Sequence, residues 1–270
     1  MDFGSFTDII IRLGLGFGIG ITIGLTGIGI VLVMPSLLYI LNLSPVAAVG
    51  TGLLYSVLTR SIGAFEHFRL GTVRKRTALY IIIGGVPAVI LTSYVINHFS
   101  KAYGSGIDYI MKIIITIAIL ATWMLMLYNL IKGRKNTEEN YYTPAEKFPF
   151  SRKLYGFFAG TGVGTLIGAT SIGGGVMIVP ILGSVFQLSP NNTVGTSVFI
   201  GIVMSVVGSF AYLLGGSMDV VVAVTMFIGS LPGVFIGSRI SVKIPHKVLS
   251  IILFIVITAS VVAMFAGIRR

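Results

Sequence analysis

The chain is written as long apolar runs separated by short polar punctuation. Hydrophobic stretches cover residues 9–41, 46–65, 77–97, 108–131, 153–186, 192–214, 219–239 and 247–267. A helix needs about 20 apolar residues to cross the hydrocarbon of a bilayer. The pattern therefore predicts an all-α integral membrane protein with about eight hydrophobic segments. None shows the two-residue alternation of a transmembrane β-strand. Two runs, 9–41 and 153–186, are longer than one crossing requires. Each has a glycine-rich interruption near its middle, followed by a proline: "TGIGIVLVMP" from Thr26 to Pro35 and "SIGGGVMIVP" from Ser171 to Pro180.

These interruptions lie 145 residues apart, and the same offset holds downstream without a gap. "LSPVAAVGT" (Leu43–Thr51) meets "LSPNNTVGT" (Leu188–Thr196), Gly71 meets Gly216, and Gly84 and Pro87 meet Gly229 and Pro232. Coincident apolar residues are common in membrane proteins, but ungapped coincidence of Gly, Pro, Ser and Thr points to duplication. The expected organisation is a first transmembrane repeat over 1–131, a polar cytoplasmic connector over 132–153 and a second transmembrane repeat over 154–270.

The two long segments admit two readings. As single helices they give four spans per repeat and parallel repeats. As re-entrant pairs of half-helices they give three crossings and an inverted second repeat. Lys and Arg collect in short cytoplasmic loops. "RLGTVRKR" (Arg69–Arg76) and the connector are cytoplasmic under both readings. Inversion adds Arg239, Lys243 and Lys247 to that side and leaves Arg269 and Arg270 outside; parallel repeats do the reverse. The balance favours two homologous, inverted repeats with glycine-broken, re-entrant helices.

Composition agrees: 55% of residues are hydrophobic, 10% are charged and the mean hydropathy is +0.99. The net charge of +11 flanks membrane spans, so it reads as topogenic charge and not as a nucleic-acid surface. The absence of cysteine removes disulfides and thiolate metal sites. The first segment lacks a small-residue cleavage site and is expected to stay in the mature protein. None of the eight acids falls in the middle of a span, which argues against a cation pathway lined by carboxylates. His67, His98 and His246 stand alone, without metal spacing. No catalytic, metal or cofactor constellation is present, so no enzyme is expected.

The breaks carry the candidate chemistry. Irregular backbone at membrane depth survives only when it is buried in protein or lines a polar cavity. A helix that restarts after a break presents unpaired N–H groups and a positive dipole end, a ready anion site. Thr26, Gly27 and Gly29, and Ser171, Gly173, Gly174 and Gly175, are expected to line such a site, with Thr26 and Ser171 as N-caps. Thr51, Thr196 and Ser197 follow each break with hydroxyls. The competing reading is close helix packing, which suits the outer glycines Gly14–Gly24 and Gly160–Gly168 better. Arg60 shares a helix face with Ser56, Ala64 and His67; it is either an anion-attracting charge or a snorkelling interface residue.

In these motifs the chain resembles the sulfite exporter TauE/SafE family, also called the toluene-sulfonate uptake permease family. The resemblance rests on "SIGGGVMIVPIL" and its first-half copy "TGIGIVLVMPSL", on "LSPVAAVGTGLL" and "LSPNNTVGTSVF", and on "GAFEHFRLGTV" and "GGSMDVVVAVTMFIGSLPGVFIGSRIS". It implies a multi-pass permease of the prokaryotic cytoplasmic (inner) membrane that moves small sulfur-containing anions such as sulfite, thiosulfate or organosulfonates by alternating access at a central site. Alternatives are a permease of another small organic anion and a non-transporting structural or assembly protein. Expected partners are the anion, membrane lipids and a second copy in a homodimer.

Overall fold

In the computed structural model the described residues are 5–26, 29–132, 149–172 and 177–241, with isolated helical positions between 251 and 262. Among them every regular element is helical. The first long segment gives α1 (Phe6–Thr26), then a 3-10 turn (Gly29–Leu32), a short α2 (Val33–Pro35) and a π turn (Ser36–Ile40). There follow α3 (Pro45–Arg69), α4 (Lys75–Tyr103), α5 (Ser105–Lys132), α6 (Phe150–Thr170), α7 (Ile178–Ser184), α8 (Pro190–Gly215) and α9 (Val220–Ser241). Six of these, α1, α3, α4, α5, α8 and α9, contain stretches long and apolar enough to cross a membrane. Most of the connector and most of the last hydrophobic run lie outside the described residues.

Turn chemistry sets the boundaries. Pro45 and Pro190 open α3 and α8, where the missing N–H costs nothing. Gly216, at φ +71°, closes α8 in the left-handed conformation. Asn42 and Gln187 hold the same conformation at φ 52° and 51°. After each, a Leu N–H reaches back six residues, Leu43 to the Leu37 carbonyl (2.9 Å) and Leu188 to the Leu182 carbonyl (3.2 Å). The "LSP" motif is thus the exit from a helical turn in both halves.

Hydrocarbon supplies no hydrophobic force between helices, so close packing must come from small residues. α1 runs parallel to α9, and α6 runs parallel to α4. Gly16, Gly20 and Gly24 lie on the backbone of Met226, Ser230 and Val234. Gly160, Gly164 and Gly168 lie on Ile81, Gly85 and Val89. Four-residue spacing puts each trio on one helix face, and the missing Cβ atoms let Cα–H groups approach the partner's carbonyls. The intervening Gly14, Gly18 and Gly162 have nothing within 4 Å of where a Cβ would stand.

α3 and α8 cross antiparallel at the centre. Leu53 meets Gly208, Ser56 meets Ser205, Arg60 meets Gly201 and Gly63 meets Val198. The contacts are reciprocal: moving Ser56 forward and Ser205 back by 145 residues turns the Ser56–Ser205 pair into the Gly201–Arg60 pair.

Both broken segments return to the end they started from. Phe186, beyond α7, lies against Gly156 near the start of α6. α1 begins beside the start of α9, with Leu13 on Gly229, and α3 begins at that same end, with Gly50 on Ser217. One feature differs from expectation. α1 and α6 each have 21 residues, roughly 31 Å of helix, so neither is a half-helix. The break after α6 faces Gly52, roughly 10 Å along α3 from Pro45, which places it off the middle of the bundle. The cause is the glycine seam, which holds α6 to α4 along most of its length.

Candidate functional site

Ser171 ends α6. It is the C-cap, with φ +54°, and its N–H donates to the Ile167 carbonyl (2.8 Å). The expected N-cap role is therefore corrected: Met177 takes that place on α7 without a side-chain bond. Thr170 completes the stop. Its hydroxyl donates to the Leu166 carbonyl (2.7 Å) and accepts the Ile172 N–H (3.2 Å). Of the other break residues, Gly27, Gly173, Gly174 and Gly175 lie outside the described residues. Thr26 is the last residue of α1 and Gly29 the first of the 3-10 turn; their surroundings are likewise not described.

The second break meets the return limb of the first at one point. A Cβ on Gly52 of α3 would sit 2.7 Å from Ser171 Oγ and 3.5 Å from Met34 Sδ, so a side chain there would crowd the serine hydroxyl and touch the methionine. Gly52, Ser56 and Arg60 follow at four-residue spacing on one face of α3. The facing side of α8 carries Ser197, Gly201 and Ser205. Ser205 Oγ donates to Ser56 Oγ (3.3 Å), and Ser197 Oγ donates to the Val194 carbonyl (2.8 Å).

Arg60 occupies the centre of this face. Its Nη1 lies against Gly201, where any side chain would collide with it. Gly201 is eleven residues into α8, roughly 16 Å from the helix start, which is about half of a 30 Å hydrocarbon core. The guanidinium thus lies against the middle of α8, eleven residues from its first residue and fourteen from its last. Among the described residues no carboxylate or other acceptor is bonded to it. His67, on the expected face with Arg60, is engaged elsewhere: its Nδ1 lies 3.1 Å from Thr72 Oγ1.

Thr51 and Thr196 are fully buried and take equivalent structural positions. Thr51 Oγ1 accepts the Asp219 N–H (2.9 Å) at the start of α9. Thr196 Oγ1 accepts the Arg74 N–H (3.0 Å) at the start of α4. Each hydroxyl satisfies a backbone donor that the adjoining helix start leaves open. The helix starts differ in charge. Asp219 caps α9 through Oδ1 to the Val222 N–H (2.9 Å). Arg74 instead directs its guanidinium to the Asn192 side chain; with that amide turned so that its oxygen meets donors, the oxygen accepts from Arg74 Nη2 (3.0 Å) and the nitrogen donates to the Thr72 carbonyl (3.2 Å). Sequence reasoning missed Gly52, Ser205 and Asn192. The four-residue spacing from Gly52 to Arg60 was a signal for the first; Asn192 had none, because its first-half counterpart is Ala47.

A model of the family described as Sulfite exporter TauE/SafE matches residues 12–264, and the chain belongs to that family. It is 26% identical over 238 residues to "Probable membrane transporter protein YjnA" of Bacillus subtilis (strain 168), covering 88% of this chain and 92% of that one. It is 29% identical over 258 residues to "Probable membrane transporter protein YunE" of the same organism, covering 92% and 93%. A third relative, from Haemophilus influenzae (strain ATCC 51907 / DSM 11121 / KW20 / Rd), is also named a probable membrane transporter protein; identity is 26% over 78% of this chain and 76% of its own length. No solved structure matches.

Proposed function

We propose that this TauE/SafE family member is a permease that moves small sulfur-containing anions, such as sulfite, thiosulfate or organosulfonates, by alternating access between two inverted repeats. The observation that carries the reading is Arg60: an arginine at the α3–α8 crossing, one turn from Ser56 and against Gly201, with no counter-charge among the described residues. A membrane-buried cation is costly unless an anion or polar partner balances it. A compact oxyanion with several acceptor oxygens suits the fork of a guanidinium and nearby Ser hydroxyls.

The antiparallel crossing of α3 and α8, with reciprocal contacts, supports inversion. So does the return of both broken segments to their own ends. Orientation follows from charge. The end that holds Arg69, Arg74, Lys75, Arg76, Arg152, Lys153 and Arg239 is the cytoplasmic one in our reading. There the cations lie on aromatic rings: Lys75 on Phe68 (4.5 Å), Arg239 on Phe235 (4.1 Å) and Arg69 on Phe65 (5.8 Å). Such cation–aromatic pairs fit the headgroup layer of a prokaryotic inner membrane. Rocking of the repeats would release the Thr51–Asp219 tie at one end and the Thr196–Arg74 tie at the other in turn.

The test is flux of radiolabelled sulfite, thiosulfate and a sulfonate in proteoliposomes, for wild type and Arg60→Ala. At least one anion is expected to move, with a loss of tenfold or more in the variant. Equal flux in both, or none of these anions moving, would overturn the reading.

A further inference from the structure

At the end opposite the basic one, a cavity of about 510 Å³ opens between the start of α3, the end of α4 and the turn from α8 to α9. Ser44, Ser100, Ser217 and Asp219 are its polar lining, and Asp219 is its one charged lining residue. Beneath it, the face of α4 that carries Ser100 continues to Asn97 and Ser93, three and seven residues earlier and so stacked one turn above the other. Both are buried, at 6% and 0% exposure. Asn97 Nδ2 donates to the Ser93 carbonyl (2.9 Å), which fixes which end of the amide is oxygen. That leaves Asn97 Oδ1 and Ser93 Oγ buried without a hydrogen-bond partner among the described residues. Oδ1 faces Gly215, where a methyl group would collide with it, and Gly216 next along the chain lines the cavity.

The groups turned toward Oδ1 are acceptors, while His98 and Lys101 stand exposed on the same end of α4. Gly215 is the last residue of α8, whose C-terminal end carries open carbonyls and the negative pole of the helix dipole. The Asp219 carboxylate stands four residues on. Asn97 presents an acceptor and not a donor. A buried amide oxygen without a donor is destabilising, and a cation would relieve that penalty. Neutral oxygens, one helix end and one carboxylate at the rim suit a hard monovalent ion; a divalent ion wants several carboxylates.

We propose that Asn97 Oδ1 and Ser93 Oγ, reached from the Asp219 cavity, form a binding site for a monovalent alkali cation of the size of sodium. The site lies on α4 where it meets Gly215, fourteen residues or roughly 21 Å along α8 from the Arg60 contact at Gly201. As a coupling ion the cation would accompany the anion through the same rocking motion. That role rests on the transport reading, whereas the binding site does not.

The experiment is thermal unfolding of the purified full chain in detergent, with gluconate as the only anion. Sodium, potassium and choline are titrated at constant ionic strength. Sodium is expected to raise the midpoint saturably, with potassium weaker and choline inert. Asn97→Ala should abolish the response, Ser93→Ala should raise the half-saturating concentration at least tenfold, and Asn97→Asp should lower it. If Asn97→Ala does not fold, Ser93→Ala, which removes a single oxygen, carries the test. Identical midpoints in sodium and choline, or an unchanged sodium response in Ser93→Ala, would overturn the proposal and leave water as the occupant. No sulfur anion is present, so failure here is separate from failure of anion transport.

Discussion

Replacing Gly164 by alanine tests whether the glycine seams hold the bundle together. A methyl at Gly164 would overlap the Gly85 carbonyl oxygen and lie 2.8 Å from Gly85 Cα. Carbon atoms rest at about 3.5–4.0 Å, so α6 and α4 must separate by about 1 Å. A gap of that size forfeits about a quarter to a half of each dispersion well along the seam. Overpacking of this kind costs about 1–3 kcal/mol, and loss of a Cα–H···O contact adds about 0.5–1 kcal/mol. Alanine's better helix propensity returns about 1 kcal/mol. Gly162→Ala is the control, because no atom lies within 4 Å of its added methyl and only the propensity gain applies. The two variants should therefore differ by about 1.5–4 kcal/mol. SDS-driven unfolding in mixed micelles, followed by tryptophan emission, measures this. Trp123, the single tryptophan, donates to Thr258 Oγ1 (2.8 Å) and stacks on Phe254, so it reports loss of the contact between α5 and the C-terminal segment on unfolding. Equal stability of Gly164→Ala and Gly162→Ala would refute the packing argument.

Other substitutions test the caps and turns, by the same unfolding assay. Thr51→Val and Thr196→Val each remove the partner of one part-buried backbone N–H and should each cost about 1 kcal/mol. These sites are at opposite ends, so the double variant should be additive within about 0.5 kcal/mol. Gln187→Gly should stabilise by up to about 1 kcal/mol, because glutamine is strained at φ +51°; Asn42→Gly should change little, because asparagine tolerates that conformation. Tyr212→Phe removes the bond from Tyr212 Oη to the Gly168 carbonyl (2.8 Å) and should cost about 1 kcal/mol.

The helical membrane class was legible because the hydrocarbon dictates segment length and apolarity directly. The offset between "LSPVAAVGT" and "LSPNNTVGT" anticipated the pairing of Asn42 with Gln187 and of Thr51 with Thr196. What those threonines do was not legible. A hydroxyl two turns into a helix looks the same whether it faces an anion or the N–H of a distant loop. Ser171 misled for a related reason, since serine suits either end of a helix and only the backbone angle separates the two. The seams were obscured by register. Gly16, Gly20 and Gly24 stand 144 residues before Gly160, Gly164 and Gly168, one short of the offset that governs everything downstream. Asn97 sits in an apolar helix and its counterpart at the 145-residue offset is Val242, while Ser93 meets another serine, Ser238, in an equally apolar helix, so neither drew attention.

The pairing of α1 with α9 sets a timetable for biosynthesis. Gly16 must wait for Met226, a partner 210 residues later in the chain. At about 5–20 residues per second, α1 spends roughly 10–40 s in the membrane before α9 is made. α6 has no such delay, because α4 precedes it. During that interval the open glycine face of α1 has to be shielded by lipid or by an insertion chaperone. Substitutions along Gly16–Gly24 should therefore reduce yield in cells more than equivalent changes along Gly160–Gly168, even where the finished proteins are equally stable.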